Sequence, residues 1–345
     1  MSIAGRRLTA AAQYVVSLAL MGVFLYWAFH RVDAREMWAA LRCVSLFWVG
    51  MLVLTTLTSL SLRAWRWIVL MRPFAPQVTL RDASLALAIC YAANLAIPRS
   101  GEALRALSLK WTRSAQLSAT LATVVVERIM DLVWLVLLFG MATLVLRGRL
   151  DQAYPWLRPV SVAALVIGLL ALCLLAWVSL RRERAAAWIG RLVGRLWPRA
   201  AARVASLMET FLSGMTALHT PGAYLQIVAS SALLNAAYVA IIYEGLMAFD
   251  LPRLYGLGPG AALVIMVVSS IGVIFPTPGA VGSYHAFYSQ ALAHLYGVPQ
   301  SQALASATAV HASAALTYVV VGLPALLWQR RHRAGLRGTL PEERP

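Results

Sequence analysis

Long apolar stretches recur along the chain between short polar segments. Six of them are long enough to cross a bilayer as helices, because about 20 apolar residues span its roughly 30 Å hydrocarbon core. They cover residues 13–30, 45–62, 117–146, 157–180, 222–249 and 300–328. Transmembrane β-strands would give shorter alternating segments, and that pattern does not occur. The pattern predicts an all-α polytopic membrane protein with six full spans.

Two further apolar regions are interrupted by proline and glycine. Residues 83–113 are broken at "PRSG" and residues 258–298 at "PTPGAVGS". Each is compatible with two short spans or with a re-entrant hairpin. Both breaks contain Pro-x-x-Gly, and the two copies lie about half the chain length apart. The repetition predicts two related halves, each with one broken hairpin, although ordinary helix ends joined by turns are the alternative.

Composition and charge agree with a membrane location and set the orientation. The chain is 61% hydrophobic and 12% charged, too apolar for a soluble domain of 345 residues. Its net charge of +17 would suggest nucleic acid in a soluble protein. In a membrane protein, basic loops instead fix the orientation, and nucleic acid is not expected as a partner. Placing both termini in the cytoplasm puts most of the 30 basic residues inside.

With that orientation the two hairpins enter from opposite sides, so the halves form an inverted repeat. Transporters of this design bind their substrates near the bilayer midplane, where interrupted helices meet. A helix that begins inside the membrane presents N–H groups and the positive end of its dipole to a ligand. The first hairpin therefore offers candidates for binding a lipid headgroup. They are Arg99, Gly101, Glu102 and Arg105.

Each of these residues suits a lipid phosphate or its counter-charge. Arg99 and Arg105 can make bidentate contacts to phosphate, or they can reach the interface as orienting charges. Gly101 permits close approach to the backbone. Glu102 can bind a cationic headgroup or pair with Arg105.

Ionisable residues also occur inside the span 117–146. Glu127 and Asp131 share a helix face, and Arg128 can pair with Asp131. Charges in a span are costly and tend to face a polar interior. Two interpretations remain open: a closed arginine–carboxylate cluster that braces the first hairpin, or direct contact with a substrate amine or a proton.

The second break adds four candidates for lipid binding. They are Gly279, Gly282, Tyr284 and His285. His285 lies in the first turn of a predicted half-helix, where it would donate to a headgroup, carry a proton or serve as a buried hydrogen-bonding residue. For His294 and His311 a structural role is favoured.

The remaining segments predict no cofactor or metal site. The amphipathic segment 181–204 has an apolar face beside an arginine cluster, as in an interfacial helix on anionic lipid. The three cysteines lie far apart and form no disulfide or metal pattern. No G-x-x-x-x-G-K-[ST] motif occurs. A single transmembrane domain is expected over residues 1–330, followed by a short basic tail at 331–345.

Three blocks of sequence resemble one family. "YAANLAIPRSGEALRALSL", "ATVVVERIMDL" and "PTPGAVGSYHAFYSQ" are similar to the lysylphosphatidylglycerol synthase transmembrane, or flippase-like, domain family. The resemblance implies a lipid translocase with two hairpins. It also implies that the residues matching the family's motifs are functionally important. These are Pro98, Arg99, Gly101, Glu102, Arg105, Glu127, Arg128, Asp131, Pro276, Pro278, Gly279 and Gly282. Many members have an acidic residue after the late glycines, where this chain has Tyr284 and His285.

The function expected from residues and resemblance together is a non-enzymatic lipid flippase of the bacterial cytoplasmic membrane. Its substrate would be a phospholipid, aminoacylated phospholipid, glycolipid, polyprenyl-linked lipid or hopanoid. The soluble aminoacyl-transferase domain of bifunctional members is not expected here, so lysyl-lipid synthesis is not expected either. One alternative is a polyprenyl-phosphate-dependent transferase using Asp33 or Glu36. Another is a non-transporting partner of a lipid-synthesis complex.

Overall fold

The described residues of this chain form helices joined by short turns and loops. The structure is a computed structural model that describes residues 3–30, 32–145, 157–180 and 221–338. The helices are α1 (Ile3–Phe29), α2 (Ala34–Arg42), α3 (Leu46–Met71), α4 (Leu80–Ala96), α5 (Ser100–Arg113), α6 (Leu117–Val145), α7 (Leu157–Leu180), α8 (Pro221–Met247), α9 (Leu251–Tyr255), α10 (Pro259–Ile274), α11 (Ser283–Tyr296) and α12 (Gln300–Gly338). A 3₁₀ turn occupies Pro278–Ala280. These residues contain no β-strand, which confirms the all-α prediction.

Among the described residues, four helices are long and apolar enough to cross a membrane. They contain the segments Ala12–Phe29, Leu46–Met71, Pro221–Met247 and Gln300–Arg331. Four of the six predicted spans are therefore confirmed as helices of membrane-crossing length and composition. The other two stretches are also helical, as α6 and α7. Helix α6 carries three ionisable residues, and the apolar part of α7 is the shorter segment Val162–Ala171.

One predicted boundary is wrong in a way that matters for the site. The second span was expected to end at residue 62, but α3 continues to Met71. The added turns bury Trp67, Leu70 and Met71 almost completely, so packing holds the helix beyond its uninterrupted apolar run. Arginines expected in a loop therefore lie within a helix. The predicted interfacial helix at 181–204 falls outside the described residues.

The chain divides into two compact units. Unit 1 contains Met1–Leu60, Leu87–Leu104 and Asn235–Trp328, and unit 2 contains Ser61–Ala86, Arg105–Leu234 and Gln329–Pro345. In unit 1, buried alanines and serines line much of α12, which lets helices approach closely. In unit 2, an aliphatic cluster joins α3, α6 and α8. Its buried members are Val69, Leu70, Val126, Met130, Ala223 and Ile227.

Candidate functional site

A buried group of charged side chains lies inside unit 2, and we call it the ionic cluster. Its members are Arg63, Arg66, Arg105, Glu127 and Asp131. Arg63 Nη2 lies 2.5 Å from Asp131 Oδ2, and Arg66 Nη2 lies 2.6 Å from Asp131 Oδ1. Arg105 Nη1 lies 2.7 Å from Glu127 Oε2. Arg66 and Arg105 have 0% and 1% exposure. The cluster is thus buried except at Asp131, whose side chain is 26% exposed.

Helical spacing aligns these residues. Arg63 and Arg66 are three positions apart on α3, and Glu127 and Asp131 are four apart on α6, so each pair shares a helix face. Arg66 reaches both carboxylates, because its Nη2 is also 3.6 Å from Glu127 Oε1. Two helices therefore bring opposite charges together from matching faces.

An aromatic side chain fixes the third arginine. The guanidinium carbon of Arg105 lies 4.6 Å from the centroid of the Trp67 ring, within the range of a cation–π contact. Trp67 Nε1 donates a hydrogen bond of 2.9 Å to Thr123 Oγ1, which holds the indole in place. Arg105 is consequently oriented by a stack as well as by Glu127.

The cluster carries more positive than negative charge. Within the described residues, three buried arginines face two carboxylates. Arg128 adds another guanidinium 3.6 Å from Asp131, with 46% of its side chain exposed. Guanidinium groups gathered in this way are suited to bind an anion such as phosphate, because each offers several donors in one plane.

Several polar atoms of the cluster also keep hydrogen-bonding capacity. Both Glu127 oxygens lie near guanidinium nitrogens, yet neither meets hydrogen-bond geometry within the described part of the chain. The Nε atoms of Arg66 and Arg105 likewise have no acceptor there. Buried polar atoms normally find a partner. Glu127 is thus held by charge proximity, while the arginines retain donors for a ligand or water.

The first break, residues 97–99 in unit 1, separates α4 from α5. Arg99 adopts a left-handed backbone with φ of 63° and is exposed. The N–H of Gly101 donates a 2.8 Å hydrogen bond to Asn94 Oδ1. A Cβ at Gly101 would overlap the carbonyl group of Cys90. In this structure Gly101 therefore packs α5 against α4, and Asn94 caps its amide.

The second break, residues 275–282 in unit 1, separates α10 from α11. Gly279 and Gly282 adopt positive φ values of 56° and 84°. A Cβ at Gly279 would lie 2.7 Å from Leu95 Cδ2, and one at Gly282 would lie 2.8 Å from the carbonyl oxygen of Met21. Leu95 belongs to the last turn of α4. The second break therefore packs against the end of α4, just before the first break.

The start of α11 carries the remaining candidates. The His285 ring centroid lies 4.9 Å from that of His311, and the Tyr284 ring lies 5.2 Å from His311. His285 is only 7% exposed. Its Nδ1 has no hydrogen-bond partner among the described residues. His311 thus joins a group that sequence reasoning had limited to Tyr284 and His285.

The comparison with protein families agrees with these features. A family model described as lysylphosphatidylglycerol synthase TM region matches residues 14–322. The chain belongs to this family. The resemblance predicted from the three sequence blocks is confirmed, and the matched range includes both breaks and the ionic cluster. Searches of curated proteins and of solved structures gave no significant match.

Membership of the lysylphosphatidylglycerol synthase TM region family indicates a multi-pass membrane protein involved in lipid handling. The predicted binding residues fall into two groups. Unit 2 holds Arg105, Glu127, Arg128 and Asp131; unit 1 holds Arg99, Gly101, Glu102, Gly279, Gly282, Tyr284 and His285. Their roles in lipid binding stay predictions. The predicted pair between Arg128 and Asp131 is present.

Sequence reasoning missed Arg63 and Arg66 because both were counted as orienting charges beyond the span. A usable signal was present: the two arginines are three residues apart, and tryptophans at 65 and 67 accompany them in a continuous helical pattern. Such spacing places both guanidinium groups on one face of an extended α3.

The carboxylates of the alternative transferase site have structural partners. Asp33 Oδ1 accepts hydrogen bonds from the amides of Arg35 and Glu36, which caps α2. Glu36 Oε2 accepts a 3.0 Å hydrogen bond from Ser301 Oγ. Both side chains thus contribute to local structure around α2.

Proposed function

We propose that this protein is a lipid flippase of the bacterial cytoplasmic membrane. The proposed topology has six spans, two oppositely oriented re-entrant hairpins related as an inverted repeat, and both termini in the cytoplasm. The ionic cluster is the observation that carries the proposal. A membrane protein of a lipid-handling family gathers three buried arginines at two carboxylates, and guanidinium groups are suited to bind a lipid phosphate.

Arginine suits this task better than lysine would. Its planar guanidinium makes two parallel hydrogen bonds to phosphate oxygens and remains charged when buried. Arg105 is already oriented by Trp67, and Arg66 by Asp131, so little side-chain freedom would be lost on binding. The unused Nε donors of both residues provide further contacts.

Without a lipid, Glu127 and Asp131 pair with the arginines of the cluster. A phosphate would compete with Glu127, because this carboxylate is held without directed hydrogen bonds in the described part of the chain. This exchange of one anion for another lowers the cost of moving a charged headgroup through a medium of low dielectric constant.

We propose that the protein transports a lipid and does not catalyse a transferase reaction. Asp33 and Glu36, the acids of the alternative transferase, are engaged in capping α2 and in the bond to Ser301. The lipid is a phospholipid, aminoacylated phospholipid, glycolipid or polyprenyl-linked lipid in this proposal. Arg99 and Glu102 in the first break are further candidates for headgroup contact, and anionic lipids at 181–204 are proposed peripheral partners.

The test is lipid translocation by the purified protein in vesicles. Labelled phosphatidylglycerol is placed in both leaflets, and an impermeant reagent quenches the outer label. Arg105→Lys and Arg66→Lys keep the charge but remove the planar fork. We expect a rate about tenfold to a hundredfold lower, since a charge-assisted hydrogen bond contributes roughly 1.5–3 kcal/mol.

The control is Arg253→Lys, because the Arg253 side chain is 85% exposed and pairs only with Asp250 at 3.6 Å in the described residues. This variant should retain the wild-type rate. No translocation by the wild type would refute the flippase proposal. Wild-type rates for both buried lysine variants would remove the phosphate role of the ionic cluster.

A further inference from the structure

Unit 1 buries one carboxyl group of its own, that of Glu244 near the end of α8. The residue is only 7% exposed. The other acidic residues of unit 1 with described side chains are exposed or partly exposed. They are Asp33, Glu36, Glu102 and Asp250. Ionisable residues buried in a membrane helix are costly, and in transporters they commonly carry protons or bind substrates, so Glu244 requires an explanation.

The carboxyl group of Glu244 has one hydrogen bond. Thr55 Oγ1 on α3 donates to Glu244 Oε1 over 2.7 Å, and both residues belong to unit 1. Glu244 Oε2 is also buried, and it has no hydrogen-bond partner within the described ranges. An ionised carboxylate can accept about four hydrogen bonds. A single donor therefore leaves most of that capacity unused.

No cation balances Glu244 in the described part of the chain. The basic residues of unit 1 with described side chains are all exposed. They are Arg35, Arg42, Arg99 and Arg253. No arginine, lysine or histidine among the described residues forms an ion pair with Glu244. Glu244 thus differs from Glu127 of the ionic cluster, which lies against Arg105.

The helices packed against this end of α8 present apolar and hydroxyl groups. A Cβ at Gly245 would lie 2.2 Å from Val310 Cγ2 on α12 and 3.5 Å from Tyr288 Oη on α11. Tyr288 is the titratable residue among these neighbours, and its hydroxyl lies 2.9 Å from Ser306 Oγ. Ser306 also donates to the carbonyl of Gly245. These neighbours hold the helices together and bring no charge to Glu244.

Such surroundings suit a protonated side chain at Glu244. An ionised carboxylate is costly to bury without a cation, whereas a protonated carboxyl group is neutral. In the protonated form Oε1 still accepts from Thr55, and Oε2 carries the proton. A sodium ion in the same place would need several further oxygen ligands. A proton needs only one carboxyl oxygen.

A cavity gives access to this end of α8 from the surface. It has a volume of about 450 Å³, and its lining includes Met247 and Ala248, about one helical turn beyond Glu244. Cys43 and Asp250 also line it, and both are exposed. A water molecule occupies about 30 Å³, so the cavity has room for several. Water can therefore bring protons from the surface to within about one helical turn of Glu244.

We propose that Glu244 is a proton-binding site, loaded through this cavity, that couples lipid translocation to a proton gradient. The proton adds to Glu244 Oε2 from water, so one O–H bond forms and no other reactant is required. The coupling rests on the proposed lipid transport, whereas proton binding by Glu244 does not. The two parts are tested by separate measurements.

Infrared spectroscopy of the purified protein tests proton binding without transport. Glu244→Gln keeps an acceptor for Thr55 and resembles the neutral side chain, so it should fold. The spectrum of the wild type minus that of this variant at neutral pH should show the C=O stretch of a protonated carboxyl group. A carboxylate band instead, as a carboxylate that binds an amine would give, would overturn the proposal.

Glu36→Gln is the matched control for the infrared measurement. Glu36 also lies in unit 1 and also accepts a hydrogen bond from one hydroxyl group, that of Ser301, but it is exposed. Its difference spectrum should show carboxylate bands. A protonated signal lost equally in Glu36→Gln and Glu244→Gln would contradict a special role for Glu244.

Vesicles that contain the protein in one orientation test the coupling. A gradient of about two pH units can bias labelled phosphatidylglycerol between the leaflets by up to about a hundredfold for one proton per lipid. The wild type and Glu36→Gln should show such a bias. Glu244→Gln should still translocate the lipid but distribute it evenly.

The other transport results are equally decisive. An even distribution by the wild type would refute the coupling, even with the infrared signal present. A bias produced by a sodium gradient at constant pH would overturn the assignment to a proton. No translocation at all would refute the flippase, while the infrared spectrum would still decide proton binding.

Cys43 allows the route through the cavity to be tested. It is a free, exposed cysteine in the cavity lining. A bulky maleimide on Cys43 should slow the development of the lipid bias several-fold, because it fills the path of the protons. Cys43→Ser treated with the same reagent is the control, since it leaves any labelling of Cys173 unchanged. A rate unaffected by complete labelling of Cys43 would refute the route.

Discussion

The two helix breaks share a Pro-x-x-Gly motif but use it differently. In the first break the left-handed residue is Arg99, directly after Pro98, while Gly101 lies within α5. In the second break Gly279 itself is left-handed, and Gly282 follows with φ of 84°. Both tetrapeptides thus contain a left-handed residue and a closely packed glycine, but these are two residues in the first break, Arg99 and Gly101, and one residue in the second, Gly279.

The two breaks also differ in the charged residues that surround them in the sequence. Arg99 and Glu102 border the first break, whereas the sequence around the second, from Gly256 to Trp328, contains no Asp, Glu, Lys or Arg. The first is stabilised by a side-chain cap, since Asn94 accepts from the Gly101 amide. The second relies on prolines, glycines and a bond between two hydroxyl groups. An approximate sequence repeat thus need not preserve either the backbone or the chemistry of the repeated segment.

Gly282→Ala should produce the largest effect, because two penalties combine there. A residue with a Cβ at the φ of 84° and ψ of −63° found here, outside the left-handed helical region, costs about 1–3 kcal/mol. The new Cβ would also lie 2.8 Å from the Met21 carbonyl oxygen and 3.1 Å from the Leu25 amide nitrogen. Overpacking of this kind costs about 1–3 kcal/mol. The midpoint of thermal unfolding in detergent should fall further for this variant than for the others below.

Gly256→Ala is the control for a glycine with positive φ and no close neighbour. Gly256 has φ of 66° and ψ of 32°, in the left-handed region, and no atom lies within 4 Å of its Cβ position. Only the conformational cost of about 1–2 kcal/mol is expected. A loss for Gly282→Ala no larger than that for Gly256→Ala would contradict the added penalty from contact with α1.

Gly101→Ala should have the next largest effect, and for a different reason. Its conformation suits any residue, but the added methyl group would overlap the Cys90 carbonyl and push α5 from α4. We expect a loss of about 1–3 kcal/mol, measured by the same thermal unfolding. Gly50→Ala should instead be neutral or stabilising by up to about 1 kcal/mol, because no atom lies near it in α3. A stable Gly101→Ala variant would contradict the close-packing role.

The sequence was sufficient to predict the helices, the two interruptions and the family, because these depend on apolar length and on local motifs. It could not predict the roles of Gly101 and Gly282, which depend on the carbonyl groups of Cys90 and Met21, distant in sequence. Arg63 and Arg66 were missed because their burial follows from the packing of α3 in unit 2. His311 was undervalued because only the packed structure brings it beside His285.

Asn94→Ala tests the cap that only the first break possesses. Without the side-chain oxygen, the buried Gly101 amide loses its acceptor. Replacing a capping residue by alanine costs about 0.5–2 kcal/mol. Asn94→Asp keeps an acceptor and adds a negative charge near the positive end of the α5 dipole, so it should be less destabilising. If the two variants unfold at the same temperature, the hydrogen bond to Gly101 contributes nothing measurable.

Substitutions of Arg99 should have the smallest effect on stability, and two of them separate the backbone strain at this residue from its charge. The left-handed backbone at this residue costs about 1 kcal/mol for any side chain with a Cβ, and glycine escapes this cost. Arg99→Gly should therefore be more stable than Arg99→Ala by about 1 kcal/mol, partly offset by the greater freedom of glycine in the unfolded chain. Both variants lack the guanidinium group.

The two Arg99 variants should then behave alike in vesicles if charge is what matters. If Arg99 contacts a lipid phosphate, both should translocate phosphatidylglycerol more slowly than the wild type, and to the same extent, although their stabilities differ. If the strained backbone matters instead, Arg99→Gly alone should slow transport, because only that variant frees the first break from its fixed conformation. Wild-type rates in both would show that Arg99 only orients the protein in the membrane, and the two breaks would then be alike in having no charge that contacts the lipid.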